Sequence, residues 1–193
     1  MVNNAGYGSV GAFEDIPMEE IKSLYETNFF GLIRVTKAVL PIMRKQRSGK
    51  IVNISSGAGR FGFPTGSIYV SSKFAIEGLS ESLAYEVDPF GIKVILIEPG
   101  VIKTNFFNAS IIIKKSLNPN SPYFKMFKDM DSEFSKMIEH ASTPDLVAQT
   151  VFEAATSSNP KLRYPAGNDV KQLLDSKKNM TDEEFFEMMK RNM

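Results

Sequence analysis

The chain is predicted to be an α/β protein, a doubly wound parallel sheet with helices on both faces. Two observations carry this. Strand-like and helix-like segments alternate along the chain, which is the order of βαβ units. The segment IKVILIE (92–98) is an almost continuous β-branched run, as expected of a strand buried on both faces, and Pro99-Gly100 ends it.

The elements follow in order. Residues 17–47, PMEEIKSLYETNFFGLIRVTKAVLPIMRKQR, carry helical periodicity, with Pro17 suited to the first turn. KIVNIS (50–55) is a strand, followed by a glycine-rich loop to Gly66. Residues 67–87, SIYVSSKFAIEGLSESLAYEV, are helical again. Residues 101–141 are less regular and rich in Phe, Ile and Met. Thr143-Pro144 opens a helix to about Ser157, KLRYPA (161–166) is a short strand, and a helix runs from Asn168 to Ser176. Thr181 and Glu184 form a capping box at the start of the last helix. No repeat or low-complexity linker divides the chain, so residues 1–193 read as one domain.

Composition narrows the chemistry. With 42% hydrophobic and 23% charged residues, the 193-residue chain has enough apolar material for one substantial core. A net charge of +1 gives no field for nucleic acid or an anionic membrane. The longest basic run, Arg44-Lys45-Gln46-Arg47, closes a helix, where cations suit the negative end of the dipole. The chain has no cysteine and one histidine, His140, which has no flanking ligand pattern. Disulfides and thiolate chemistry are excluded, no metal site is expected, and His140 is read as a surface or packing residue. No apolar run approaches membrane-spanning length and no signal-peptide pattern is present, so the expected location is cytoplasmic.

Two G-x-G-x-x-G matches, Gly6-Gly8-Gly11 and Gly57-Gly59-Gly62, are set aside. That fingerprint needs a strand leading in and a helix opening at the glycines. The first has only a few residues before it and no helix until Pro17. The second is separated from its next helix by Pro64, and the acid some twenty residues on, Glu77, lies inside a helix.

The informative pair is Tyr69 and Lys73, at i and i+4 on one helical face. A free tyrosine titrates near pH 10 and is a poor proton donor or acceptor at neutral pH; a neighbouring ammonium favours its phenolate. Ser56, at the end of the preceding strand, can fix a substrate oxygen beside the phenol.

Asn3-Asn4-Ala5-Gly6, Asn28 in its helix, Ser56, Tyr69-x-x-x-Lys73 and Pro99-Gly100-Val101-Ile102-Lys103-Thr104 together resemble the short-chain dehydrogenase/reductase family, in its order and spacing. The resemblance covers at least residues 1–110. It implies a Rossmann-like sheet and an NAD(P)-dependent oxidoreductase that interconverts an alcohol and a ketone or aldehyde. Tyr69 would be the general acid/base, Lys73 would lower its pKa and hold the nicotinamide ribose, and Ser56 would orient the substrate oxygen. Asn28 would place a water linking Lys73 to solvent. Asn4, Ala5 and Gly6 would line the adenosine side of the cofactor, NAD or NADP, while Pro99, Gly100, Ile102 and Thr104 would approach its nicotinamide.

In that family NNAG follows the fourth strand, so the expectation is a fold lacking its first three strands, roughly 80 to 90 residues at about 30 per strand-helix unit. The pyrophosphate loop and the residue that selects NAD or NADP would lie there. A lid at about 105–141 and a small apolar alcohol or ketone substrate are expected, with motifs most similar to the 17β-hydroxysteroid and retinol dehydrogenase-like branch. Homodimers or homotetramers through helices 17–47 and 67–87 are implied. Two alternatives stay open: a naturally shortened, non-catalytic interaction protein, and a sugar-nucleotide epimerase or dehydratase of the extended branch. The early NNAG and the short C-terminal part argue against the second.

Overall fold

The computed structural model describes residues 1–191. Its main sheet has four parallel strands in the order β1-β3-β4-β6: β1 (Val2–Asn3), β3 (Gly49–Ile54), β4 (Ile92–Pro99) and β6 (Arg163–Ala166). Strand alternation sends β3 and β4 side chains to two cores. Ile51, Val94 and Leu96 face α2 (Gly31–Gln46) and α3 (Ser67–Val87), packing with Leu40, Met43, Leu83 and Ile76. Val52, Ile95 and Ile97 face the opposite way, onto Ala154, Val147 and Val151 of α6 (Pro144–Thr156). Both faces are covered, which is why residues 92–98 contain so little polar material. Lys50 ties α6 to β3: its ammonium donates to the carbonyls of Ala155 and Ser157, each at 2.6 Å, satisfying orphan acceptors at the helix end.

The helix expected over residues 17–47 is three consecutive segments. α1 (Met18–Tyr25) passes into a π-helical turn, Glu26–Phe30, before α2 begins. Such a turn re-aims the residues it carries and is frequent at functional sites. Here it carries Asn28.

Residues 101–141 gain more order than their pattern showed. They hold α4 (Phe106–Ala109), β5 (Ile111–Ile112) and α5 (Phe124–Glu139). β5 pairs in parallel with β2 (Ser9–Val10), a two-stranded ribbon not foreseen from two-residue segments. This explains the first glycine match. A Cβ at Gly8 would lie 2.6 Å from Ser110 Oγ, and one at Gly11 2.6 Å from Ile113, so these glycines admit the neighbouring segment. Ser116 completes the seam, accepting from Ala12 N–H at 3.0 Å and donating to Asp15 at 3.1 Å.

α7 (Asn168–Asn179) and α8 (Asp182–Arg191) follow β6. The capping box forms as read: Glu184 N–H donates to the Thr181 hydroxyl at 3.2 Å and Thr181 N–H to the Glu184 carboxylate at 2.8 Å. His140 is exposed just beyond α5, and the basic run Arg44–Arg47 is exposed at the end of α2. Among the described residues, no helix is long and apolar enough to cross a membrane.

Candidate active site

The carboxyl ends of β1, β3 and β4 open to the same edge of the sheet, where open parallel sheets bind their ligands. β1 delivers Asn4, Ala5 and Gly6, all exposed. β3 delivers Ser55 and Ser56. β4 delivers Pro99, Gly100 and the turn to Thr104. The first two turns of α3 bring Tyr69 and Lys73 against these ends.

Lys73 is 6% exposed, and its ammonium donates to the Ile54 carbonyl at 2.9 Å, its one hydrogen bond among the described residues. It also lies 5.7 Å from the centre of the Tyr69 ring. Burial pulls its pKa down to about 8, against a smaller upward pull from the Glu77 charge. The Tyr69 phenol is pushed up to about 12, chiefly by burial, with the nearby Ser56 hydroxyl drawing it partly back. The phenol is therefore protonated through the physiological range, where a depressed pKa was expected from its lysine neighbour. Desolvation exceeds the attraction of an ammonium that lies over the ring and points its proton at Ile54.

Ser56 is half-buried. Its Oγ accepts from Ala58 N–H at 3.1 Å, capping the short 3₁₀ turn Gly57–Gly59. The second glycine match thus follows a strand but opens a single tight turn, with no long helix to aim at a pyrophosphate.

Asn28 is 1% exposed, and its amide is committed to the loop that follows NNAG. Oδ1 accepts from Tyr7 N–H at 3.0 Å, while Nδ2 donates to the Tyr7 carbonyl at 2.9 Å and to Ser72 Oγ at 3.4 Å. A Cβ on Gly6 would come 3.1 Å from Asn28 Oδ1. The amide clamps residues 6–7; its donors are occupied by protein, not directed at Lys73.

The segment after β4 is held from two sides. Asp169 accepts from Val101 N–H at 2.7 Å, and its carboxylate fills the space a Gly100 side chain would need, 2.2 Å from that Cβ. Ile102 is buried and bridges to Ser142, with the bonds made by Lys103 N–H and the Val101 carbonyl. The Ile102 amide is left outside that ladder. Thr104 is exposed and its Oγ1 accepts from Phe106 N–H at 3.2 Å, leaving its proton free to donate.

Several residues here escaped the sequence reading. Asn53, in the middle of a strand, donates to Ser80 Oγ at 2.8 Å and accepts from Asn3 Nδ2 at 2.8 Å, locking β1 to β3 and α3. A polar residue inside the apolar run KIVNIS was the available signal. Asp169, Arg163 and Glu98 gave none, because their partners are remote in sequence. Phe106 packs on Tyr69 at 5.6 Å between ring centres, Phe107 on Phe106 at 5.6 Å, and Phe134 of α5 on Phe107 at 4.6 Å.

Residues 1–111 match the family model for short chain dehydrogenases. The chain belongs to the short-chain dehydrogenase family. It is 46% identical over 176 residues to an uncharacterized oxidoreductase, YusZ, of Bacillus subtilis, covering 90% of this chain and 63% of that protein. It is 39% identical over 178 residues to a 3-ketodihydrosphingosine reductase of Bacteroides thetaiotaomicron, covering 92% and 66%. This short-chain dehydrogenase chain therefore spans about two thirds of the length of these relatives. Among solved structures, a short-chain dehydrogenase from Streptomyces avermitilis superposes with a TM-score of 0.81 at 36% identity, covering 98% of this chain and 67% of that one. ElxO with NADP bound superposes with a TM-score of 0.67 at 28% identity, covering 86% and 64%. The fold is Rossmann-like, as the sequence predicted.

Proposed function

We propose that this chain carries the catalytic part of an NAD(P)-dependent oxidoreductase that interconverts an alcohol and a ketone or aldehyde. The observation that carries this reading is the convergence of Tyr69, Ser56 and the buried Lys73 at the carboxyl ends of β3 and β4. In reduction, the protonated Tyr69 gives its proton to the carbonyl oxygen; in oxidation it would take the alcohol proton as the phenolate, a form that a bound oxidised nicotinamide, being cationic, would favour beside Lys73. Ser56, beside the phenol, holds the same oxygen in line.

The donor set fits a nicotinamide nucleotide. Lys73 has N–H groups to spare for ribose hydroxyls, and the Ile102 amide and the Thr104 hydroxyl suit a carboxamide. Asn4, Ala5, Gly6, Pro99 and Gly100 form the backbone wall along the nucleotide. The cofactor, NAD or NADP, supplies the hydride acceptor or donor. Asn28 contributes by fixing the loop that ends this wall, through its amide bonds to Tyr7.

Residues 105–141 are read as the lid, and the Phe106-Phe107-Phe134 row above Tyr69 favours an apolar substrate. The sphingoid-base name of the Bacteroides relative points the same way. A dimer through α2 and α3 is proposed from their exposed apolar residues Val35, Ile42, Phe74 and Tyr85.

The test is turnover of a panel of long-chain and cyclic alcohols and ketones by the full-length protein, following nicotinamide absorbance. Tyr69→Phe keeps the ring packing on Phe106 and removes the proton, and is expected to lower kcat by about 10²–10⁴-fold. A Tyr69→Phe protein as active as wild type, or wild type inert with both cofactors across the panel, rejects the reading in favour of a non-catalytic role.

A further inference from the structure

Behind the proposed site lies a buried network that the mechanism does not use. Glu77 follows Lys73 by one turn of α3, at i+4, so their Cβ atoms lie roughly 6 Å apart on one helical face. Glu77 is 5% exposed and Glu98, at the end of β4, is fully buried. Arg163 of β6 binds both, with Nε 2.9 Å from Glu77 Oε2 and 3.5 Å from Glu98 Oε1, and reaches Glu81 at 2.5 Å. Arg60 closes the other side, 2.8 Å from Glu98 Oε1. Among the described residues, Glu77 Oε1, Glu98 Oε2 and the buried hydroxyl of Ser55, the neighbour of Ser56, have no hydrogen-bond partner. Gly59 has no room for a side chain: its Cβ would fall 2.8 Å from both Glu77 Cγ and Ser55 Oγ. The Glu77 stem is thus packed against the loop that presents Ser56.

Arg163 is thus divided among Glu77, Glu81 and Glu98, and Lys73, one turn away, is the one cation on the same helix as Glu77. We propose that Glu77 is a positioning residue that acts through Lys73, its carboxylate keeping the ammonium charged and aimed within the site. This rests on the reading of Lys73 as the cation of the Tyr69 site. The groups that face Glu77 are Lys73 and Glu81 on α3, Glu98 on β4, Arg163 on β6, and Ser55 and Arg60 on the loop after β3. The Glu77 charge raises Lys73 against the larger downward pull of burial; Glu77 itself is raised by burial and by Glu98, while Ser55 and Arg163 hold it back towards the charged form.

The deciding experiment is a pH titration of the full-length protein labelled with ¹³Cε-lysine, with the Lys73 signal identified by its loss in Lys73→Arg. Glu77→Gln keeps length and can still accept from Arg163. It is expected to lower the Lys73 midpoint by about one pH unit or more. Glu81→Gln, on the exposed side of the same arginine, is expected to leave it in place. In an active protein, the limb of the kcat/KM profile that coincides with the Lys73 midpoint moves with it. Should Glu77→Gln fold poorly, the reciprocal variant decides: Lys73→Met raises the Glu77 midpoint in ¹³Cδ-glutamate spectra, because coupling is mutual. A Lys73 midpoint unmoved in Glu77→Gln, or a Glu77 midpoint unmoved in Lys73→Met, overturns the proposal. The titrations need no turnover. Coupled midpoints in an inert protein support the pairing and sink the oxidoreductase reading, while an active protein with unmoved midpoints does the reverse.

Discussion

At Tyr69 and Lys73, burial shifts both groups in the direction that disfavours charge, and this has a consequence for stability that activity assays do not see. Lys73 titrates at about 8 in the folded chain against a usual 10.5. Between these values the unfolded chain holds more protons than the folded one, so stability rises with pH. The rise amounts to about 3 kcal/mol for a shift of this size. Tyr69, at about 12 against a usual 10, acts in the opposite sense. The folded chain keeps a phenolic proton that the unfolded chain has lost, so its contribution is present below pH 10 and fades as pH rises towards 12. Urea unfolding from pH 7 to 11 should show the first effect, and Lys73→Met should flatten it; an unchanged slope in that variant would place the titration elsewhere. The pairing of Tyr69 with Lys73 was legible from spacing alone. The direction of the tyrosine shift was not, because desolvation depends on Phe106, which folds back from a different part of the chain to cover the ring.

At the level of elements, the turn after β4 is set by α7. The Asp169 carboxylate, in the first turn of that helix, takes the Val101 N–H and occupies the space beside Gly100. Asp169→Ala is expected to cost about 1–3 kcal/mol through the unsatisfied amide. It should also raise the KM for the cofactor more than it lowers kcat, since it frees residues 100–104 without touching Tyr69. Thermal unfolding and steady-state kinetics on the same preparation check both. Gly100→Ala should reproduce the cofactor effect, because its Cβ would displace Asp169. The Pro99-Gly100 stop was plain in the sequence as a strand end. Its partner lies more than sixty positions on, in a helix whose sequence advertises only an acidic first turn. The same holds for β2 and β5, two residues each, whose pairing appears only when Gly8 and Gly11 let residues 110–116 approach.

For the molecule as a whole, α2 and α3, the helical layer opposite α6, carry four large exposed apolar residues among the described residues. Val35 and Ile42 lie about two turns apart on α2, and Phe74 and Tyr85 about three turns apart on α3, so each pair shares a face. Val35→Glu with Phe74→Glu is expected to convert a dimer to a monomer in sedimentation velocity; a wild-type protein that sediments as a monomer would remove the premise. By itself the sequence determined the alternation of strands and helices, the doubly buried run at 92–98, and the grouping of NNAG, Ser56, Tyr69-x-x-x-Lys73 and PGVIKT. Each depends on period, turn residues or spacing, which are local properties of the chain. Only the tertiary structure decided that Asn28 clamps Tyr7 from a π-helical turn. It alone joined the acids Glu77 and Glu98 through Arg163 behind Lys73, and let burial govern the tyrosine. Those outcomes turn on which distant groups share one desolvated space, and a linear pattern of residues does not carry that information.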